Sequence, residues 1–314
     1  MRIAFVNTLL SLAQENKNIM LLTGDLGFSV FEKYIETIPH QFLNMGVAEQ
    51  NMAGVAAGLA MEGKVPIIYS IIPFTTMRNF EQIRNDICYQ NLNVKIVGVG
   101  AGFSYGPYGH THHGLEDIGI LRTLPNMTIL CPGDPIEVSL ATNAMFEHTG
   151  PVYLRLGKAG EPSIHKKTPQ FSIGKGICIE EGRDVAIIAT STFLYKAWKV
   201  TEELKEKGYS VRLISMHTIK PLDEKLVIDS ATKTSALFTL EEHSIIGGLG
   251  SAVAEVIAEN RIAVPFKRFA VPDHFTKTMG SQEHMRNANK LSNNEIVEVI
   301  IKYIESKDAF SENM

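Results

Sequence analysis

Short apolar, β-rich runs alternate with amphipathic stretches along almost the whole chain, and that alternation restricts the fold more than any other feature of the sequence. NIMLLTG (18–24), VPIIYSII (65–72), VKIVGVG (94–100), MTILC (127–131) and VYLRL (152–156) read as buried strands. Stretches of helical pattern fall between them at 47–62, 78–90, 115–123 and 134–147. Continuous apolar strands separated by helices predict a parallel sheet with helices on both faces. GKAGEPSIHKKTPQFSIGK (157–175), rich in Gly, Lys and Pro, then interrupts the pattern and reads as a linker. A second block follows, with strands at 185–189, 210–215, 235–240 and 267–272 and helices at 193–207, 222–231, 248–260 and 294–305. The fold class is α/β, with two domains, each a mainly parallel sheet flanked by helices.

The 314 residues suit about two domains of ordinary size. A net charge of -4 argues against a nucleic-acid footprint, and no basic run suits an anionic membrane. No apolar stretch reaches the length of a membrane span. At the start, Ile3, Val6, Leu10 and Ala13 recur at helical spacing, which predicts an amphipathic helix and not a signal peptide. Cys88, Cys131 and Cys178 lie far apart, with neither zinc spacing nor a disulfide framework, and read as buried free thiols in a reducing cytoplasm.

Four segments are candidates for chemistry. FLNMGVAEQNMAGVAAGLAMEG (42–63) predicts a helix that is apolar nearly all round and therefore buried, with Glu49 in its first turn. Dipole stabilisation at a helix N-terminus explains a carboxylate there, but a buried charge also needs a partner or a shifted pKa, as functional carboxylates do. Phe74 stands at a strand-to-helix junction, either as a core aromatic or at the ligand edge of a parallel sheet. GAGFSYGPYGHTHHGLED (100–117) is a loop at a strand's carboxyl end, also a place where sites form. Its His110, His112 and His113 lack an evident further metal ligand. Gly102-Phe103-Ser104-Tyr105-Gly106 fits the G-x-S-x-G elbow of hydrolases, although Gly106-Pro107-Tyr108-Gly109 cannot begin the helix that elbow requires. Gly248-x-Gly250 is a weak dinucleotide fingerprint that equally serves close strand-to-helix packing.

Several motifs in order resemble the transketolase family: GDLGFS (24–29), FLNMGVAEQNMAGVAAGLA (42–60), FEQIR (80–84), THHGLEDIGILRTLPNMTILCPGD (111–134), GPVYLRLGK (150–158), TIKPLD (218–223) and EEHSIIGGLGSAVAE (241–255). The resemblance covers almost the whole chain. It implies a thiamine-diphosphate pyrimidine-binding domain at 1–162, a linker at 163–176 and a transketolase C-terminal domain, usually structural, at 177–314. Family members hold the cofactor's diphosphate through Mg2+ (or Ca2+) in another domain marked by Gly-Asp-Gly, and Gly24-Asp25-Leu26 is the nearest match here. The expectation is the C-terminal subunit of a split transketolase. An N-terminal partner subunit would carry the metal and diphosphate, in an α2β2 heterotetramer with a β–β contact.

The resemblance also assigns roles. Glu49 would hydrogen-bond a ring nitrogen of the aminopyrimidine and favour the imino tautomer that deprotonates the thiazolium carbon, a task suited to a protonated, poorly solvated carboxyl. His112 would lie near the pyrimidine amino group and the substrate hydroxyl, as a second catalytic and substrate-binding group. Phe74 would stack on the pyrimidine, Ile71 and Met77 replace neighbouring family aromatics, and Asp25 would support the cofactor site. Arg2, Ser29 and Lys158 fall at contacts to a sugar phosphate, with Lys158 replacing an arginine and losing its planar fork. A family histidine near Gly100–Ala101 and an acidic group near Tyr108 are gone, which implies a different ketose donor or aldose acceptor, still anionic. The expected reaction is transfer of a two-carbon ketol unit from a ketose to an aldose. The rivals are the β subunit of a 2-oxo acid dehydrogenase, a deoxyxylulose-phosphate-synthase-like enzyme, and a catalytically silent scaffold subunit.

Overall fold

The computed structural model describes residues 1–311, so the last three residues of the expected second domain lie outside the described residues. Twelve strands form two sheets among the described residues: β1 (Ile19–Thr23), β2 (Phe42–Asn44), β3 (Val65–Ile71), β4 (Lys95–Val99), β5 (Thr128–Leu130), β6 (Val152–Leu156), β7 (Ile177–Glu180), β8 (Val185–Ala189), β9 (Val211–Ser215), β10 (Thr218–Lys220), β11 (Ala236–Ser244) and β12 (Phe266–Val271). The first sheet runs β10-β5-β6-β4-β3-β1-β2 and the second β12-β11-β8-β9-β7. All pairings are parallel except the antiparallel edges β10 on β5 and β7 on β9.

The period of two along a strand sends neighbouring side chains to opposite faces. In β3, Ile67 and Tyr69 pack with Phe5, Leu9 and Val138 from the Arg2–Glu15 and Pro135–Glu147 helices. Ile68, between them, packs with Met52, Ala53, Ile83 and Ile87 on the other face. That second core continues without a break into the second sheet through Ile129, Cys131, Ile188, Ile214 and Leu237. The later block of sequence also lends the first sheet a strand: β10 closes the edge of that sheet on β5.

The structure corrects several expectations. The Glu49–Met61 helix buries only one side, through Met52, Ala53, Ala56 and Ala57, while Val47 is 74% and Met61 57% exposed. Its alanines let one face approach the sheet closely, and among the described residues no element covers the opposite side, where Gly54 and Gly58 are exposed. The expected 78–90 helix is instead a short turn at Phe80–Gln82 running into a π-helical segment at Ile83–Cys88. Ile3 points to solvent, unlike Val6, Leu10 and Ala13, and Cys178 is only half-buried because β7 is an edge strand. Strands β2, β7 and β10 and the helices Glu32–Thr37 and Gln282–Ala288 are additions to the elements expected. No helix among the described residues is long and apolar enough to cross a membrane.

Candidate functional site

In the first sheet β1 leads outward to β2 and, in the other direction, to β3 and β4, so strand order reverses between β1 and β3. Parallel sheets open a crevice at such a point, outside the carboxyl ends of the strands. Gly24 follows β1 directly, and a Cβ placed on it would lie 3.6 Å from Cγ and Oε1 of Glu49. Glu49 begins the helix after β2 and is 2% exposed, with Ala48 giving the helix no side-chain cap. Its partner is Arg78, whose Nη1 donates to Oε2 at 2.8 Å. The need of a buried carboxylate for a partner is met here by that ion pair.

Arg78 makes a second contact. Its guanidinium carbon lies 4.4 Å from the centroid of the Phe74 ring, within cation–π range. Phe74 sits in the Ile72–Thr76 turn after β3 and meets His112 edge to face, with centroids 5.2 Å apart. His112 comes from the loop after β4, where Thr111 Oγ1 lies 2.9 Å from its Nδ1 and Tyr108 packs 5.3 Å from its ring. Loops after four adjacent strands thus bring Gly24, Glu49, Phe74, Arg78 and His112 together. Ile71 and Met77 bracket the Phe74 turn, Ile71 half-buried and Met77 37% exposed. Asp25, exposed and at φ 55°, is tied to Asn44, which donates to its Oδ1 at 3.0 Å and accepts from Gly46 N. Asn44 thereby fixes the turn into the Glu49 helix.

The expected substrate contacts are distributed more loosely. Lys158 is exposed, with its Nζ 5.2 Å over the Tyr105 ring. Arg2 acts electrostatically on both Tyr105 and Tyr69, and burial raises the pKa of both phenols against that influence. Tyr69 is fully buried, and Arg2 is the charged group set against its phenol. A side chain at Gly100, where φ is +96°, would run into the Tyr105 ring, so Tyr105 fills the space that a residue-100 side chain would take. Ser29 stands on an exposed turn at φ 62°, its N–H donating to Glu32 Oε1 at 2.5 Å.

The other motifs resolve into structure. Ser104 Oγ donates to Ala101 O at 2.6 Å, and a 3-10 turn follows it at Gly106–Tyr108 where an elbow would have a long helix. At Gly248-x-Gly250 the helix N-terminus is already taken: Leu249 N and Gly250 N each donate to the Glu241 carboxylate at 2.7 Å. A Cβ on Gly250 would meet Arg268 Cδ at 2.7 Å, so these glycines serve close packing. Among the described residues no three His, Cys, Asp or Glu side chains are grouped to hold a metal ion. The groups present suit a planar, nitrogen-bearing ring in the position that Arg78 takes: a buried carboxylate at the floor, an aromatic face beside it and an imidazole at the rim. Sequence reasoning missed Arg78, Asn44 and Tyr105. Arg78 had a detectable signal, as a cation four residues after Phe74 in the segment expected to reach the cleft.

Comparison with known proteins agrees with this geometry. Residues 1–160 match the family model of the transketolase pyrimidine binding domain, and residues 174–296 match that of the transketolase C-terminal domain. A 6-deoxy-6-sulfo-D-fructose transketolase subunit from Clostridium sp. (strain MSTE9) is 37% identical over 98% of this chain and 95% of its own. An apulose-4-phosphate transketolase subunit from Phocaeicola vulgatus is 38% identical over 87% of each chain. A solved structure described as a split-gene transketolase in an inactive β4 tetramer superimposes with a TM-score of 0.89 at 37% identity, covering 97% of this chain and 98% of that one.

Proposed function

This chain belongs to the transketolase family, and we propose that it is the C-terminal subunit of a thiamine-diphosphate enzyme that moves a two-carbon ketol unit from an anionic ketose to an aldose. The single observation that carries this reading is the convergence of buried Glu49 with Phe74 and His112 at the switch point of the first sheet. When bound, thiamine diphosphate supplies the carbon nucleophile and the electron sink that ketol transfer requires. Glu49 would bind a ring nitrogen and hold its proton, in a setting where burial strengthens that bond. Phe74 would support the ring's face. His112 would orient the substrate hydroxyl from the loop after β4, and Asp25, Ile71 and Met77 would shape the cofactor's surroundings. Arg2, Lys158 and Ser29 would receive the anionic end of the sugar; the named relatives support this, one acting by name on a sulfo sugar and one on a phosphate.

In this reading a separate N-terminal subunit holds Mg2+ (or Ca2+) and the diphosphate, and the two assemble as α2β2 in the cytoplasm. The inactive β4 state described for the split-gene relative supports dependence on a partner. Residues 1–162 would form the pyrimidine domain and 177–314 the second domain, joined by 163–176. A 2-oxo acid dehydrogenase β subunit is the weaker alternative, since both named relatives are transketolase subunits.

The test is a two-substrate assay of the chain assembled with a diphosphate-binding partner. Ketol transfer should require both chains, and Glu49→Gln should lower the rate by about 10²–10⁴. Near-normal activity of that variant would remove Glu49 from the mechanism. Efficient turnover of the ordinary pentose and hexose phosphates would overturn the expectation of an unusual donor or acceptor.

A further inference from the structure

The cation paired with Glu49 is also the group that covers Phe74. Arg78 donates to Glu49 Oε2 at 2.8 Å while its planar guanidinium lies 4.4 Å from the Phe74 centroid. A flat, N–H-bearing group hydrogen-bonded to the carboxylate and set against the aromatic face is what the proposed function asks of the aminopyrimidine. Both cannot occupy that position. Arg78 is 44% exposed and lies beside Met77, itself 37% exposed, so its side chain has solvent to move into. Glu49, at 2% exposure, cannot follow it, and a buried carboxylate without a partner is costly.

We propose that Arg78 is a positioning residue that stands in for the cofactor's pyrimidine ring: it pairs with the Glu49 carboxylate and covers the Phe74 ring until the cofactor's ring displaces it. The inference rests on the functional reading above. Two opposed effects follow for Arg78→Met, which keeps length and apolar bulk but loses the charge and the fork. The isolated chain loses its ion pair, so its melting temperature falls at pH 7. The assembled enzyme, in contrast, no longer spends binding energy on expelling an arginine, so its affinity for thiamine diphosphate rises, on the order of tenfold for an ion pair open to solvent on one side. A merely structural arginine would lower stability and cofactor affinity together. Arg78→Lys, which keeps the charge without the planar face, should fall between parent and Met variant in both measurements.

The experiment is isothermal titration of thiamine diphosphate with Mg2+ into the assembly of this chain with its diphosphate-binding partner, alongside thermal melts of the isolated chain. Tighter binding with a lower melting temperature in Arg78→Met, and intermediate values in Arg78→Lys, is the expected result. Binding by the unmodified assembly with unchanged or weakened affinity in both variants overturns the stand-in role alone. An unmodified assembly that neither binds the cofactor nor transfers a ketol unit removes the functional reading, and the stand-in role with it.

Discussion

Phe74 and His112 meet edge to face, their ring centroids 5.2 Å apart and their planes inclined by 75°. The contact joins the turn after β3 to the loop after β4 across the mouth of the crevice. His112 is half-buried and also packs on Tyr108. Its position is therefore set by two rings and by Thr111, and in the proposed function its remaining edge would meet the substrate. His112→Ala should lower kcat/KM for the ketose donor by about 10²–10⁴, the range for a residue acting on a proton in transfer. Thiamine diphosphate affinity should change by less than about threefold, a difference of under 1 kcal/mol. Steady-state kinetics and titration of the cofactor separate the two. A parallel loss of cofactor affinity would reassign His112 from substrate to ring.

Lys95 gives the fold a pH dependence with an uncommon sign. Its side chain is fully buried in β4, with Nζ donating to His148 O at 2.8 Å and Gly150 O at 3.0 Å. Burial lowers its pKa to about 7, against about 10.4 for an exposed lysine. Between those values the unfolded chain holds a proton that the folded chain has released, so stability rises with pH. Below about 7 both states are protonated and the slope vanishes. Lys95→Met removes the effect. The stability of the parent relative to this variant should increase by on the order of 2 kcal/mol between about pH 7 and about pH 9.5, read by urea denaturation. The buried tyrosines, whose pKa values burial raises, oppose this only at higher pH and are common to both proteins. A parallel pH course for the two proteins would show that Lys95 stays charged.

The alternation of strands and helices is legible because it is imposed by burial on both sheet faces, as in VKIVGVG around β4 and VAIIA at β8. Edge strands carry a weaker pattern. β10, TIK, takes its identity from a neighbouring strand far back in the sequence, and β7 is half-exposed along its whole length. The π-helical segment at Ile83–Cys88 has the same apolar spacing as an ordinary helix over one turn, so periodicity cannot separate them. In the site, Glu49 was legible as an acid among small apolar residues. Arg78 was legible only as a cation near the cleft, because its role depends on a turn at Ile72–Thr76 that brings it back over Phe74. Tyr105 was hidden for a similar reason: the void it fills belongs to Gly100, five residues earlier and at a positive φ.

Asp117 and Arg155 make a fully buried ion pair at 2.8 Å, both side chains at zero exposure. Tyr153 Oη also donates to the carboxylate, at 2.6 Å, and Arg155 reaches Ser191 Oγ and Glu242 O near the second sheet. Desolvation pushes the Asp117 pKa up, but Arg155 and then His243 outweigh it and hold the group below the ordinary range. A depressed carboxyl contributes stability above the unfolded value of about 3.9 and loses it as pH falls through the folded value. Asp117→Asn should therefore cost about 3–5 kcal/mol near neutral pH by leaving a buried guanidinium unpaired. Replacing both partners, Asp117→Leu with Arg155→Met, should cost less than the single change, because no charge is left behind. Urea denaturation of the two proteins checks this, and a double variant less stable than Asp117→Asn would reverse the assignment.

Glu242 links the second sheet to the loop that carries His112. It is fully buried in β11 and accepts from Phe103 N at 3.1 Å, Thr192 Oγ1 at 3.1 Å, Gln282 Nε2 at 2.9 Å and Arg286 Nη2 at 2.6 Å. Arg286 is only 12% exposed, so it depends on this carboxylate. Gln282 Nε2 also reaches Ser104 Oγ, giving the loop a second tie to the Gln282–Ala288 helix. Any side chain on Gly102 would collide with Glu242, which shows how closely the loop backbone is drawn onto it. Glu242→Ala should lose about 3–5 kcal/mol of stability, since it leaves the largely buried Arg286 with only its 3.6 Å pairing to Glu283 and unpairs several donors. Its functional effect should be larger than stability alone explains: with Phe103 N released, the loop from Ala101 to His113 becomes less defined, and a misplacement of about 1 Å is enough to cost on the order of 10² in rate. Glu242→Gln keeps acceptors for Phe103 N and Thr192 and should recover much of the kcat/KM while recovering less of the stability, because Arg286 loses its closer counter-charge and keeps only Glu283, at 3.6 Å. Measuring kcat/KM and denaturation midpoints for both variants at a temperature where each is fully folded separates the two contributions. Equal kcat/KM in the parent and Glu242→Ala under those conditions would mean that the loop is held without β11.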